Sequence, residues 1–205
     1  YCPGCTPRGE NCTHMRDACE LLAKFYRDQA YYDSAPYRGN KAIDGGGPFI
    51  QQACHNIDIY AWFFGRPEKT VSMMGTFLHQ MEGEDYGVAL FRHADGMIGS
   101  ITASTATTPG FPARMTIHSE LGYLVLERDI ITEWQIGDLK NPSVAGGEKR
   151  HSGFASATVT NTTGHEAIIT DFIEAIEQDR DPLVSGKAAR VATEIIIDAY
   201  CGNII

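Results

Sequence analysis

The chain has 205 residues, enough for one domain with a sizeable core or for two very small domains. Its hydrophobic fraction of 43% and charged fraction of 21% are those of an ordinary soluble globular protein. No apolar run approaches the roughly 18 residues that a membrane span needs, so no membrane partner is expected. The net charge of −9 repels phosphate backbones, which argues against nucleic acid as a partner.

Residues 1–18 differ from the rest and are interpreted as a leader or tail of uncertain origin. They contain Cys-Pro-Gly-Cys and show no hydrophobic period. Four side chains there have the chemistry of zinc ligands, namely Cys2, Cys5, Cys12 and His14. Their short middle spacing and the missing second hairpin argue against a zinc knuckle, so no metal is expected.

The six cysteines do not indicate a disulfide framework. Most lie near the start, whereas Cys54 and Cys201 stand alone within helical patterns. A chain of this length does not need disulfides for stability, and isolated helical cysteines are often buried thiols. We therefore expect a reducing, cytoplasmic location.

Residues 19–205 predict one α+β domain. A strand over 19–29 precedes a loop over 31–39 that is rich in aromatic and turn-forming residues. Pro48 then begins a helix that runs to about Phe64, because proline suits the first helical turn.

Strand signals follow this helix, and two successive pairs of them read as hairpins. The predicted strands are 70–80, 86–93, 97–105, 113–118, 123–127 and 130–136. A long polar loop over 138–163 and two amphipathic helices, 165–178 and 187–200, close the chain. The order predicts a large, mostly antiparallel sheet with helices on one face, and no doubly wound nucleotide-binding fold.

Two stripes run along the predicted helix over 48–64. The apolar stripe predicts the core face and comprises Ile50, Ala53, Cys54, Ile57, Ala61 and Phe64. A narrower polar stripe, flanked on both sides by apolar residues, comprises Gln51, His55, Asp58 and Trp62. Polar groups in apolar surroundings cost stability unless each finds a partner, so a hydrogen-bonded network or a ligand should face this stripe.

Two interpretations of His55 are open. It could be a core histidine hydrogen-bonded to Asp58 or to a loop carbonyl. Alternatively it transfers a proton, because imidazole titrates near neutrality, and Gln51 one turn earlier orients it or binds a hydroxyl. Three glycines, 45–47, precede the helix and would let an anionic or hydroxyl-rich ligand approach its N-terminus.

Several sequence pieces in a fixed order carry a family resemblance. They are Tyr31-Tyr32, Tyr37-Arg38-Gly39, Asp44-Gly45-Gly46-Gly47, His55-Asn56-Ile57-Asp58 with Trp62 and Gly65, Gly83-Glu84-Asp85, Asp95-Gly96, Gly99 to Ser104, His165 before Asp171-Phe172-Ile173, and Asp181-Pro182. Over about residues 20–202 the chain resembles the C-terminal domain of the glucose-fructose oxidoreductase / inositol dehydrogenase / rhizopine-catabolism (Gfo/Idh/MocA) family.

This resemblance implies an open sheet that binds substrate at one edge and builds homodimers or tetramers across its exposed face. Met73, Phe77 and Phe91 are candidates for that face. The family's other half is a Rossmann domain that binds NAD or NADP. The implied reaction is hydride transfer between the nicotinamide and a sugar, cyclitol or nucleotide-sugar.

The resemblance also assigns site residues. His55 matches the family's proton acceptor or substrate ligand, and Gln51 replaces the acidic or amide residue four positions earlier. Glutamine cannot take a proton, which puts a two-residue relay in doubt.

The Tyr-Arg-Gly loop borders the sugar pocket in this family, so Tyr37, Arg38 and the weaker Tyr32 are implied to bind substrate. Arg38 could bind a carboxylate or phosphate in bidentate fashion, or form a structural salt bridge. His165 is either a substrate contact or a structural residue, and Asp85 is expected to order a turn.

The chain departs from the family in what it lacks. It has no Gly-x-Gly-x-x-Gly after a strand, and neither Glu68-Lys69 nor Glu148-Lys149 is followed by proline as the family's lysine motif is. We therefore expect one truncated half of an NAD(P)-dependent oxidoreductase that binds no cofactor alone and turns over no substrate alone. The alternatives are a non-enzymatic homo-oligomeric sugar-binding module, or a truncated relative with lyase or hydrolase activity.

Overall fold

The computed structural model describes residues 18–128, 130–142 and 163–204. Cys2, Cys5, Cys12 and His14 lie outside these residues, as does most of the predicted loop over 138–163. The strands are β1 (Ala18–Lys24), β2 (Lys69–Gly75), β3 (Tyr86–Arg92), β4 (Ile98–Ser104), β5 (Arg114–Ser119), β6 (Gly122–Glu127) and β7 (Ile130–Ile136). The helices are α1 (Gln29–Asp33), α2 (Lys41–Asp44), α3 (Pro48–Gln51), α4 (Cys54–Phe64), α5 (Thr163–Glu177) and α6 (Gly186–Cys201).

The strands form one seven-stranded open sheet in the order β2-β3-β4-β1-β5-β6-β7. β1 runs parallel to β4 and antiparallel to β5, and every other neighbouring pair is antiparallel. The predicted α+β class with a mostly antiparallel sheet is confirmed. The parallel pair arises because β1 is inserted between β4 and β5, so that the first strand of the domain lies at the centre of the sheet.

One face of the sheet forms the core with helices α4 and α6. On β1 the alternation places Cys19, Leu21 and Ala23 inward, as the two-residue period of a strand requires. On α4 and α6, Ile57 and Ile195 are fully buried in the same cluster. The predicted apolar stripe of the first long helix is therefore its core face.

The predicted helix over 48–64 is interrupted at its second turn. The backbone N–H groups of Gln52 and Ala53 both donate to the carbonyl of Pro48, so one residue is inserted into the helical turn. The chain continues as α4, which begins at Cys54. Gln51 and His55 consequently lie on either side of this junction and not on one straight helix.

The predicted aromatic loop over 31–39 begins as a short helix. Asp28 caps α1 by accepting a hydrogen bond from the Tyr31 N–H at 2.8 Å. Asn40 caps α2 by accepting from the N–H groups of Ala42 and Ile43. Each cap is an Asp or Asn directly before a short helix, the sequence signal by which α1 and α2 could have been found.

The second face of the sheet is open among the described residues. Val71, Met73, Leu90 and Ile98 are each about half exposed there. Phe91, which was expected on this face, is 2% exposed and lies in the core. The reason is the strand period, since Leu90 and Phe91 are neighbours and must point to opposite faces.

Helix α5 also exposes apolar side chains. Its predicted apolar face remains 50–68% exposed in the described part of the chain, at Ile168, Phe172, Ile173 and Ile176. None of the helices described combines the length and apolar character that a bilayer crossing needs.

Two of the three glycines before α3, Gly46 and Gly47, are packed against the β2–β3 connection and α6. A Cβ atom added at Gly47 would lie 1.7 Å from the backbone oxygen of Glu84, and one added at Gly46 would lie 2.3 Å from the hydroxyl of Tyr200. The backbones therefore approach as closely as only glycine permits.

We expect Gly47→Ala to destabilise the fold by about 3 kcal/mol or more, because the backbone carbonyl of Glu84 cannot yield to a methyl group. Gly186→Ala is the matched control, since nothing lies within 4 Å of a Cβ atom added there. Urea unfolding of both variants measures the difference. Equal stability of Gly47→Ala and the parent chain would contradict the close packing.

Candidate functional site

His55 lies in the first turn of α4 with its side chain exposed. No hydrogen bond joins its imidazole to another residue of the described chain, so the ring is not held as a satisfied core histidine. Asp58 and Trp62 of the same stripe are exposed as well, Trp62 by 52%. The polar stripe therefore faces outward, where a ligand or another domain can reach it.

Gln51 is the last residue of α3, on the other side of the helix junction from His55, and its side chain is already hydrogen-bonded. Its amide nitrogen donates to the backbone carbonyl of Asp44 at the end of α2. The Asp44 carboxylate in turn accepts a 3.0 Å hydrogen bond from the Gly39 N–H. Gln51 thus holds the segment that carries Arg38 against α3.

The N-terminus of α3 is occupied by the chain's own carboxylate. Glu84 is 6% exposed and accepts from the N–H groups of Gly47 at 2.9 Å and Phe49 at 3.2 Å. The Tyr200 hydroxyl donates to the same carboxylate at 2.9 Å. The expected anionic or hydroxyl-rich ligand at this helix end is therefore replaced by Glu84, and the glycine run serves packing.

Arg38 stacks on the aromatic residues of its own segment. Its guanidinium carbon lies 4.1 Å from the ring centroid of Tyr31 and 5.5 Å from that of Tyr37. No carboxylate in the described residues forms a salt bridge with Arg38, so the structural salt bridge considered from sequence is not seen among them. Its buried Nε atom has no hydrogen-bond partner there.

Gln52, which the sequence analysis did not single out, lies next to this arginine stack. Its amide nitrogen is 3.4 Å from the Tyr31 hydroxyl, and its buried Oε1 has no partner among the described residues. The contacts of Tyr31 therefore bring Arg38 and Gln52 into one cluster. The helical period of the sequence could not have placed Gln52 in this cluster, because Gln52 lies at the irregular helix junction.

The remaining candidate residues occupy different surroundings. Tyr37 is 44% exposed beside Arg38. Tyr32 is 6% exposed, its hydroxyl lies 2.7 Å from that of Thr105, and burial raises its pKa to about 12. His165 is exposed near the start of α5, with no hydrogen bond to the other candidates in the described residues. The structure thus places Tyr37 and Arg38 in one segment that Gln51 holds at the helix junction. Tyr32, in contrast, is buried and serves packing.

Asp85 orders the β2–β3 connection, as expected from sequence. Its fully buried carboxylate accepts from the N–H groups of Phe77, Leu78 and His79 at 2.8–2.9 Å. The His79 ring adds a 3.0 Å contact to the same carboxylate, and its other nitrogen lies 2.9 Å from the Arg27 carbonyl. Both ring partners are acceptors, so both bonds form only when His79 donates from both nitrogens.

The two adjacent carboxyl groups have opposite pKa shifts. Burial raises the pKa of Glu84 above its ordinary value, despite the hydrogen bonds that favour its ionised form. Burial would raise the pKa of Asp85 too, but three backbone N–H donors and the His79 ring lower it below its ordinary value.

Comparison with known proteins identifies the fold. A family model described as the GFO/IDH/MocA C-terminal domain matches residues 19–125, which is more than half of the chain. This chain belongs to the Gfo/Idh/MocA family. The open sheet and its helices are the C-terminal domain of that sugar dehydrogenase family.

Solved structures of Gfo/Idh/MocA dehydrogenases superpose on most of this chain. The WlbA dehydrogenase from Bordetella pertussis, in complex with NADH and UDP-GlcNAcA, is 25% identical with a TM-score of 0.72, over 92% of this chain and 52% of its own. The WlbA dehydrogenase from Chromobacterium violaceum, with the same ligands, is 22% identical with a TM-score of 0.76 over the same shares, 92% and 52%. A levoglucosan dehydrogenase in complex with NADH and levoglucosan is 17% identical with a TM-score of 0.67, over 92% of this chain and 56% of its own.

This Gfo/Idh/MocA chain spans about half the length of those solved relatives. The similarities to the Chromobacterium violaceum WlbA dehydrogenase and to the levoglucosan dehydrogenase show the fold alone, because their sequence identities are below 25%. No curated protein sequence matches the chain.

The opposite shifts of Glu84 and Asp85 predict two pH slopes in the unfolding free energy. Folded Glu84 holds its proton more tightly than unfolded Glu84, so stability should fall as pH rises just above the ordinary glutamate pKa. Folded Asp85 ionises more readily than in the unfolded chain, so stability should fall as pH drops below the ordinary aspartate pKa. Urea unfolding between pH 3 and 8 measures both slopes.

Glu84→Gln should abolish the first slope and Asp85→Asn the second, each at the cost of stability. Glu68→Gln and Asp138→Asn, at exposed carboxyl groups, are the matched controls and should keep both slopes. A first slope that survives in Glu84→Gln would show that another group causes it.

Proposed function

We propose that this chain is the substrate-binding and oligomerisation domain of an NAD(P)-dependent sugar or cyclitol oxidoreductase. The observation that carries the proposal is the exposed imidazole of His55, which no described residue hydrogen-bonds, at the helix junction where Gln51 holds the Arg38 segment, in a domain of the Gfo/Idh/MocA family. The dehydrogenases with the same fold were solved with NADH and with UDP-GlcNAcA or levoglucosan, which supports a sugar or nucleotide-sugar substrate.

The proposed role of His55 is to take the proton of the substrate hydroxyl as its carbon is oxidised. An exposed imidazole with no competing hydrogen bond from the described part of the chain can meet that hydroxyl. Gln51 would position substrate and loop without taking a proton, because its amide nitrogen is committed to Asp44. Tyr37 and Arg38 would border the sugar, and His165 would contribute from α5.

The dinucleotide does not fit the glycine run of this chain. The space beside Gly46 is filled by the Tyr200 side chain, and the space beside Gly47 is filled by the backbone of Glu84. These two glycines therefore leave no room for a pyrophosphate. We therefore place the nicotinamide cofactor on the family's other domain and expect this chain alone to be inactive. A hydride acceptor held there would face the substrate bound at His55.

We further propose a homodimer or tetramer built through the open sheet face. Val71, Met73, Leu90 and Ile98 form an apolar patch there, and such patches usually mark contacts between proteins. A non-enzymatic homo-oligomeric module would use the same face. A cytoplasmic location is consistent with the free thiols of Cys19, Cys54 and Cys201.

The proposed role of His55 is tested in this chain joined to a dinucleotide-binding domain of the family. His55→Asn should lower kcat by about 10²-fold or more, because asparagine cannot accept the proton. Asp138→Asn, at an exposed side chain in the turn after β7, is the control. Reduction of NAD or NADP with a panel of sugars is followed by absorbance, and an unchanged kcat in His55→Asn would leave the ring a structural role.

The oligomer is tested at Leu90. Leu90→Glu should dissociate the assembly to monomers, because a buried unpaired carboxylate in an apolar contact costs several kcal/mol. Leu183→Glu, at a leucine 80% exposed in the α5–α6 turn, should leave the mass unchanged. Sedimentation or light scattering gives the mass, and a monomeric parent chain would exclude this assembly.

A further inference from the structure

We propose that Tyr31, Arg38 and Gln52 form a subsite for the anionic group of the substrate and a neighbouring hydroxyl. The ligand class is a sugar bearing a carboxylate or a phosphate. The inference rests on the proposed function in taking the ligand to be a sugar, and it adds two residues that neither the sequence nor the family comparison assigned.

Arg38 is held in a fixed orientation but lacks an anion in the described part of the chain. The ring of Tyr31 lies 4.1 Å from its guanidinium carbon, a cation–π contact that restrains the planar group. Its Nε is buried without a hydrogen-bond partner. A buried donor is normally satisfied, so this atom indicates a partner supplied from outside.

The carboxylates nearest in sequence are committed to other groups. Asp33 accepts from the Gln29 amide nitrogen at 2.9 Å, and Asp44 accepts from the Gly39 N–H at 3.0 Å. In a chain of net charge −9, an arginine stack without a carboxylate partner among the described residues is a local positive site. The Nε and one terminal nitrogen of a guanidinium together match the two oxygens of a carboxylate or phosphate.

Gln52 supplies the second half of the subsite. Its amide nitrogen lies 3.4 Å from the Tyr31 hydroxyl and its Oε1 is buried without a partner. Because the Tyr31 hydroxyl can donate or accept, turning the carboxamide over would only exchange which end is free. One end of Gln52 therefore lacks the hydrogen-bond partner that a sugar hydroxyl would supply.

The subsite is close in sequence to the proposed reacting group. Gln52 is three residues before His55 along the chain, and Gln51 ties the Arg38 segment to the same junction through Asp44. An anion at Arg38 and a hydroxyl at Gln52 would thus fix the sugar at two points beside His55. Two-point binding of this kind selects charged sugars over neutral ones.

Calorimetric titration of the 205-residue chain tests the subsite with three probes: glucuronate, glucose 6-phosphate and glucose. At least one charged probe should bind about tenfold or more tightly than glucose. Arg38→Gln should lose that preference, and so should Arg38→Lys, which keeps the charge but lacks the Nε donor. Arg190→Gln, at an arginine paired with Glu194 on α6, is the matched control and should bind like the parent.

The outcomes separate the two proposals. Preference for glucuronate or for glucose 6-phosphate supports the subsite and names the carboxylate or the phosphate as its ligand. Equal binding of glucose and the charged probes, or equal losses in Arg38→Gln and Arg190→Gln, overturns the subsite but leaves the proposed sugar-binding function standing. No saturable binding of any probe, with the NMR signal of the Arg38 Nε–H unmoved, would also overturn the subsite, whereas the proposed function stands or falls with the kinetics of His55→Asn in the joined enzyme.

Discussion

The contact between Glu84 and the N-terminus of α3 is the constraint on which the arrangement of the site depends. The carboxylate satisfies the N–H groups of Gly47 and Phe49, which a helix start otherwise leaves without partners. Glycine at the preceding positions lets the two backbones meet closely enough for those bonds to form. The contact joins the β2–β3 connection to the helix pair and so fixes the helical segment to the sheet.

The helix junction is the second constraint, since it places the candidate residues. Glu84 holds α3 at one end, and the buried side chains of Ile57 and Ala61 hold α4 on the sheet at the other. The inserted residue between them turns Gln52 toward Tyr31 and leaves His55 exposed. A continuous helix would have aligned Gln51 and His55 on one face. With the observed break, Gln51 hydrogen-bonds the Asp44 carbonyl, whereas the His55 ring has no hydrogen bond to another described residue.

The neighbouring carboxyl groups show how burial and hydrogen bonding compete. Glu84 and Asp85 are both buried, but Asp85 collects three backbone donors and the His79 ring. Those bonds outweigh the cost of burying a charge, and its pKa falls, whereas burial prevails at Glu84. Asp85 therefore stabilises the loop as an anion, next to a glutamate whose charged form is disfavoured.

The sequence by itself determined the fold class, the positions of the strands, the core face of α4 and the family. These follow from local periodicity and ordered motifs, because a strand alternates every two residues and a helix every 3.6 whatever lies elsewhere in the chain. The placement of Phe91 shows the same rule, since strict alternation would have placed it in the core. Only the tertiary structure decided which polar groups find hydrogen-bond partners and which have none among the described residues. Gly47 and Glu84 are 37 residues apart, and Gln52 and Tyr31 are 21 apart. Hydrogen bonds between such distant residues depend on how the sheet and helices pack, which no local pattern encodes.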